Sequence, residues 1–89
     1  MLKSELKKQV TLTVQRLIAQ KTKYSPAQIN LNWIVDKNLD IDSIDIIEIE
    51  MEIEDTYDIS FSDDDINKFN TIQELIDLVV KKIWNKHQK

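Results

Sequence analysis

Glycine does not occur anywhere in this chain. Phosphate-binding loops, dinucleotide fingerprints and nucleophile elbows need glycine where backbone approaches phosphate or turns sharply, so none of them is present. Cysteine is absent too, which rules out a disulfide scaffold and thiolate metal ligation and permits a reducing compartment. The only histidine, His87, lies in a lysine-rich tail. There an imidazole is a solvated group, not the base that a serine nucleophile requires. A hydrolase is set aside. No uninterrupted apolar run reaches the ~20 residues that span a bilayer. The segment from Met1 to Lys21 has lysines but no long apolar stretch and no small-residue cleavage site, so it reads as a helix of the fold. A monomeric, cytoplasmic protein that does not enter a membrane is expected.

What is present is apolar residues and carboxylates. With 89 residues, 42% of them hydrophobic, the chain supports one domain over 1–89 with a small core. Its net charge of -4 conceals a strong asymmetry. Residues 1–35 carry six Lys/Arg against one Glu, whereas residues 36–65 carry thirteen Asp/Glu against Lys37 alone. Residues 66–89 return to a basic balance. The acidic middle repels phosphate backbones, which argues against nucleic acid and for a basic partner.

Leu6, Val10, Val14, Leu17 and Ile18 recur on one face of a helix over about residues 3–20. A long connection from Lys21 to Asp42 follows. Within it Ser25-Pro26 suits the start of a short helical turn, and Trp33, Ile34, Val35 and Leu39 would tuck the loop onto the core. Further on, Ser62 can cap a short helix near 63–68. Thr71-Ile72-Gln73-Glu74 is a capping box opening a last helix, whose core face is Ile72, Leu75, Ile76, Val79, Val80 and Ile83.

The segment Ile47 to Glu54 alternates strictly, apolar with acidic, which is the pattern of a strand. No second alternating run exists to pair with it, and its neighbours are helical. Asp42 can cap a helix beginning at Ser43, with Asp45 favourable to the dipole in its first turn. At about 100° per residue, Ile46, Ile49, Ile53 and Tyr57 gather within roughly 80° of arc as a core stripe. Ile44, Ile47 and Met51 form a second apolar sector, flanked by Asp45, Glu48, Glu52 and Asp55 on one side and by Glu50 and Glu54 on the other. That sector reads as a contact surface. The alternative is that both stripes are core, which the surrounding carboxylates make expensive. The fold class is all-α: a small four-helix bundle of three main helices plus a short third one, with a long loop between helices 1 and 2.

An EF-hand register starting at Asp36 would use Asp36, Asn38, Asp40 and Asp42. Ile41 then stands where the turn needs glycine, and Ile47 where the bidentate acid belongs. No dedicated metal site is expected.

The run Leu39-x-x-Asp42-Ser43-Ile44-Asp45, then Ile47-Glu48-x-x-Met51, then Ile53-Glu54-x-x-Tyr57-x-Ile59, resembles the acyl carrier proteins. Ser62-Asp63-Asp64 and Thr71-Ile72-Gln73 are similar to that family as well, so the resemblance covers most of the chain. It implies a carrier and not an enzyme, with a 4′-phosphopantetheine arm transferred from coenzyme A to Ser43 by a phosphopantetheinyl transferase. It also implies partner contacts through Asp42, Ile44, Asp45, Ile47, Glu48, Met51 and Glu54 with acyl-transferring and condensing enzymes that present basic docking patches. By the same resemblance Ile46, Ile49, Ile53, Phe61, Phe69 and Ile76 would line an acyl pocket, in a pathway of fatty-acid, polyketide or related biosynthesis. The chain departs from the family pattern at Asp40, where glycine is usual, at Ile44 in place of leucine, and at Glu50 in place of an apolar residue, the last implying an unusual pocket or acyl specificity. Trp33 to Asn38 aligns poorly. Aspartate before the serine favours an acyl over a peptidyl carrier, and together these departures suit a specialised pathway. An unmodified interaction module acting through the acidic helix is the alternative.

Overall fold

The computed structural model describes residues 2–66 and 68–87. Its elements are α1 (Lys3–Lys21), a 3-10 turn (Pro26–Gln28), α2 (Val35–Asn38), α3 (Ser43–Tyr57), α4 (Asp63–Ile66) and α5 (Ile72–His87). The expected all-α class holds. The long loop contains one helix more than the sequence pattern shows, the single turn α2. The expected span of the short helix, 63–68, contracts to α4, and its residue 67 lies outside the described residues.

The core forms where the periodicities coincide. Leu6, Val10, Val14 and Ile18 of α1 pack with Ile49 and Ile53 of α3 and with all six expected positions of α5. Ile29, Val35 and Leu39 bring the long connection into the same cluster, with Trp33 half-buried against it. The capping signals work as read. Ser25 and Gln28 close a capping box on the 3-10 turn. The Thr71 Oγ1 accepts from the Glu74 N–H at 3.1 Å, and the Glu74 carboxylate accepts from the Thr71 N–H at 3.0 Å. These bonds hold the Glu74 carboxyl below its ordinary range.

Residues 43–57 are helical despite their alternation. The Asp42 carboxylate caps the first turn, accepting from the Asp45 N–H at 2.9 Å. At the other end Asp58 takes a left-handed φ of 52°, and its N–H and that of Ile59 both reach the Glu54 carbonyl. Lys86 of α5 then binds both the carbonyl and the carboxylate of Asp58 at 2.7 Å. The Tyr57 hydroxyl donates to Thr13 at 2.8 Å, tying α3 to α1.

Two further ties fix the walls around the N-terminal half of α3. On one side an isolated antiparallel bridge pairs Ile34 with Thr71. Val35 N–H bonds to Asn70, Ile72 N–H to Trp33 and Gln73 N–H to Leu31, at 2.8–3.1 Å. The loop is thereby latched to the start of α5. On the other side, α4 is held by Asp65, whose carboxylate accepts from the Ser62 N–H at 2.9 Å and meets Lys82 of α5 at 2.6 Å.

The Lys82 ammonium, with the Ser62 N–H, draws the buried Asp65 carboxyl down to about 2. A carboxyl depressed in the folded state stabilises the fold at every pH above its ordinary value, and that share is lost as acid protonates it. Asp65→Ala is expected to lower the unfolding free energy by about 1–2 kcal/mol at neutral pH. In urea titrations the gap between wild type and variant should close from pH ~4 down to pH ~2. A gap independent of pH would show that the ion pair is not what holds α4.

Candidate functional site: a serine at the head of an acidic helix

Ser43 is the first residue of α3, and its side chain is exposed. Buried Leu39 and half-buried Ile41 anchor the loop that delivers it. Between them Asp40 has φ of 53°, in the left-handed region that favours glycine. The chain meets there the same backbone requirement with a residue that tolerates it, since a short polar side chain can visit this region. A helix start with free N–H groups beside an exposed hydroxyl favours a bound anion at that oxygen.

The seven residues expected to meet partners fall into two groups. Ile44, Ile47 and Met51 are 64%, 52% and 56% exposed, an apolar strip that the bundle leaves largely open. Three of their four acidic companions already hold structural partners. Asp42 caps α3. Glu48 pairs with Lys21 at 2.5 Å and, with its acidic neighbours, raises that ammonium above its ordinary value. Glu54 accepts from the Phe61 N–H at 2.8 Å. Asp45 is half-buried in the first turn. The acidic rim is therefore built partly from carboxylates that also fix the local fold.

Beside this face lie two hollows. One, of about 190 Å³, is bounded by Asp36 of α2, Ile46 and Glu50 of α3, Ile66 of α4, Phe69 and Asn70. The other, of about 150 Å³, is bounded by Ile47, Glu50, Met51 and Glu54 of α3 with Phe61 and Ile66. Of the six expected lining residues, Ile46, Phe61 and Phe69 border these hollows. Ile49, Ile53 and Ile76 do not, because they are sealed in the core between α1, α3 and α5. Sequence reasoning missed Asp36 and Ile66; it tied Glu50 to the pocket through its departure from the family's apolar residue but placed it on the exposed rim, where the structure buries it.

Glu50 separates the two hollows. It is only 5% exposed, and its Oε2 has no hydrogen-bond partner among the described residues. Burial, helped by the neighbouring charge of Glu54, pushes its carboxyl above the ordinary range. A trace of this was visible in the helical projection, where Glu50 falls about 20° from the core-facing Tyr57.

Against known proteins, the family described as "Phosphopantetheine attachment site" matches residues 12–79, a span that contains Ser43 and all of α3. The chain belongs to the acyl carrier protein family. It is similar to the acyl carrier protein of Cyanophora paradoxa, with 33% identity over 88% of this chain and 76% of that one. Identity to the acyl carrier protein of Chlorobium phaeobacteroides is 34% over 83% of this chain and 95% of its relative. That of Cyanidium caldarium is 29% identical over 90% and 93%. Proteins of this family are carriers, not catalysts, and their cofactor is 4′-phosphopantetheine. Among the described residues of this carrier, no helix is long and apolar enough to cross a membrane.

The left-handed backbone before Ser43 gives a direct check. Asp40→Gly is expected to be neutral to stabilising by up to ~1 kcal/mol, and Asp40→Val to cost about 1–2 kcal/mol. Chemical denaturation of both variants reads the difference, and a harmless valine would mean that the loop does not hold this conformation.

Proposed function

We propose that this carrier holds acyl intermediates as thioesters on a 4′-phosphopantetheine arm attached to Ser43. It presents them to partner enzymes of fatty-acid, polyketide or related biosynthesis. The observation that carries the attachment point is the exposed Ser43 hydroxyl at the start of α3, inside the matched span. The residues present suit the group. The α3 N-terminus favours the negative charge of a phosphodiester on the Ser43 oxygen. The arm supplies a terminal thiol to which an acyl group is esterified. Asp42, held by the Asp45 N–H, keeps the serine at a fixed point on the helix.

The exposed strip of Ile44, Ile47 and Met51 offers partners a small apolar contact, and the surrounding carboxylates steer basic surfaces toward it. Steering of this kind raises the rate of encounter more than the lifetime of the complex. A shuttle that visits a phosphopantetheinyl transferase, acyl-transferring enzymes and condensing enzymes in turn needs that balance. Since Glu48 is shared with Lys21, a partner's cation competes with an internal one for this carboxylate.

Incubation with coenzyme A and a phosphopantetheinyl transferase should add a single phosphopantetheine, read by intact mass, and Ser43→Ala should abolish the addition. A wild-type chain that stays unmodified with several transferases would favour an interaction module acting through α3 alone. For the docking face, the pair Asp45→Lys with Glu48→Lys is expected to raise the transferase KM for the unmodified chain several-fold while kcat holds. The wild-type KM should rise with salt and the variant's should not; equal salt dependence would remove the acidic rim from the contact.

A further inference from the structure

The described polar groups around the two hollows are carboxylates and one amide: Asp36, Glu50 and Glu54, with Asn70. No lysine or arginine borders either hollow among the described residues. The rest of the lining is apolar, chiefly Ile46, Ile66, Phe61 and Phe69. Glu54 is engaged by the Phe61 N–H and Asp36 is exposed to solvent, so the buried carboxylate left with an unpartnered oxygen is Glu50. An unpartnered polar group buried to this degree is costly, and a charged one more so. Covering it with hydrocarbon would make matters worse, because the last access to solvent would go. A cation would do the opposite, answering Glu50 and easing its repulsion with Glu54.

Position links this carboxyl to the attachment point. Ser43 and Glu50 are seven residues apart, so they lie on nearly the same face of α3 with a rise of about 10 Å between them. A group tethered at Ser43 that folds back along α3 runs over Ile46 or Ile47 before it reaches Glu50. Each hollow is of the size that accepts a small ring or short chain, since a cavity of about 150 Å³ holds benzene.

We propose that the cargo of this carrier bears a primary amine, and that Glu50 holds the amine as a charged hydrogen-bonded pair while Ile46, Ile66 and Phe69 cover the methylene chain leading to it. This substrate class rests on the reading of Ser43 as the attachment point. Glu50 is here a specificity-determining residue; it takes no part in attachment.

The test uses the full chain in its arm-bearing form, loaded from coenzyme A derivatives whose acyl chains have equal length and end in an amine, a hydroxyl or a methyl. With the amine, the carbon-13 resonance of the Glu50 carboxyl should titrate at least tenfold more acidic in Ka than in the unloaded chain. The amides of Ile46 and Phe69 should shift, and the thioester should be protected from hydroxylamine several-fold over the methyl-ended one. In Glu50→Leu, which keeps an apolar side chain in place and should fold, the preference should reverse in favour of the methyl. Equal protection of amine and methyl in the wild type would overturn the assignment, as would a hydroxyl retained as well as the amine. The same three end groups are also attached by disulfide to Ser43→Cys, which has the only thiol in the chain, on tethers long enough to span the roughly 10 Å to Glu50. Failure of enzymatic loading with a clear amine preference on this tether would sink Ser43 as the natural attachment point and leave the binding chemistry of Glu50 standing. Efficient loading with no amine preference would do the reverse.

Discussion

One helix carries more apolar surface than the bundle can bury, and the consequences of that excess run through the whole molecule. Residues 43–57 turn Ile49 and Ile53 into the core and leave Ile44, Ile47 and Met51 outside. The division is enforced by carboxylates, since rotating α3 to bury the second strip would carry several of them inward at a penalty the small core could not offset. The Asp42 cap sets where the helix begins, and with it the position of Ser43. Fold, exposed strip and proposed attachment point therefore share one rotational setting of α3.

The sequence was most legible where one periodicity acted alone. In α5 every expected core position, from Ile72 to Ile83, is buried, because a strong amphipathic stripe needs no tertiary information to be read. The alternation in 47–54 was harder, since helix and strand both sorted its isoleucines; the missing strand partner and the Asp42 cap decided it. The turn α2 escaped notice because four residues are too few to display a period. It is stabilised by contacts distant in sequence, the pairing of Ile34 and Val35 with Thr71 and Asn70. The burial of Glu50, though not its bearing on the pocket, escaped for a related reason. The residue projects beside the core stripe, and only Ile66 and the chain near Phe61, arriving from another part of the fold, close over it. The loop residue Asp40 shows the converse: a substitution for the usual glycine changes the side chain while φ stays in the left-handed region.

Charge separation along the chain serves the fold. The basic segments at either end supply Lys21, Lys82 and Lys86, and each closes on a carboxylate from the acidic middle: Glu48, Asp65 and Asp58. Such pairs contribute little individually at the surface. Together they orient α3 and α4 against α1 and α5, where direct apolar contact is thinner. The carboxylates left over give the outer face its sign.

The two flanks of the Glu50 hollows are fastened by different physics. Toward α2, the wall is clipped to α5 by backbone hydrogen bonds between uncharged groups, which ionic strength scarcely touches. Toward α4, the wall is tied to α5 by the partly buried Asp65–Lys82 ion pair, which acid weakens. The cleft thus resembles a clamp with one jaw fixed to the frame and the other on an electrostatic spring, so any widening is one-sided and tunable by the surrounding medium.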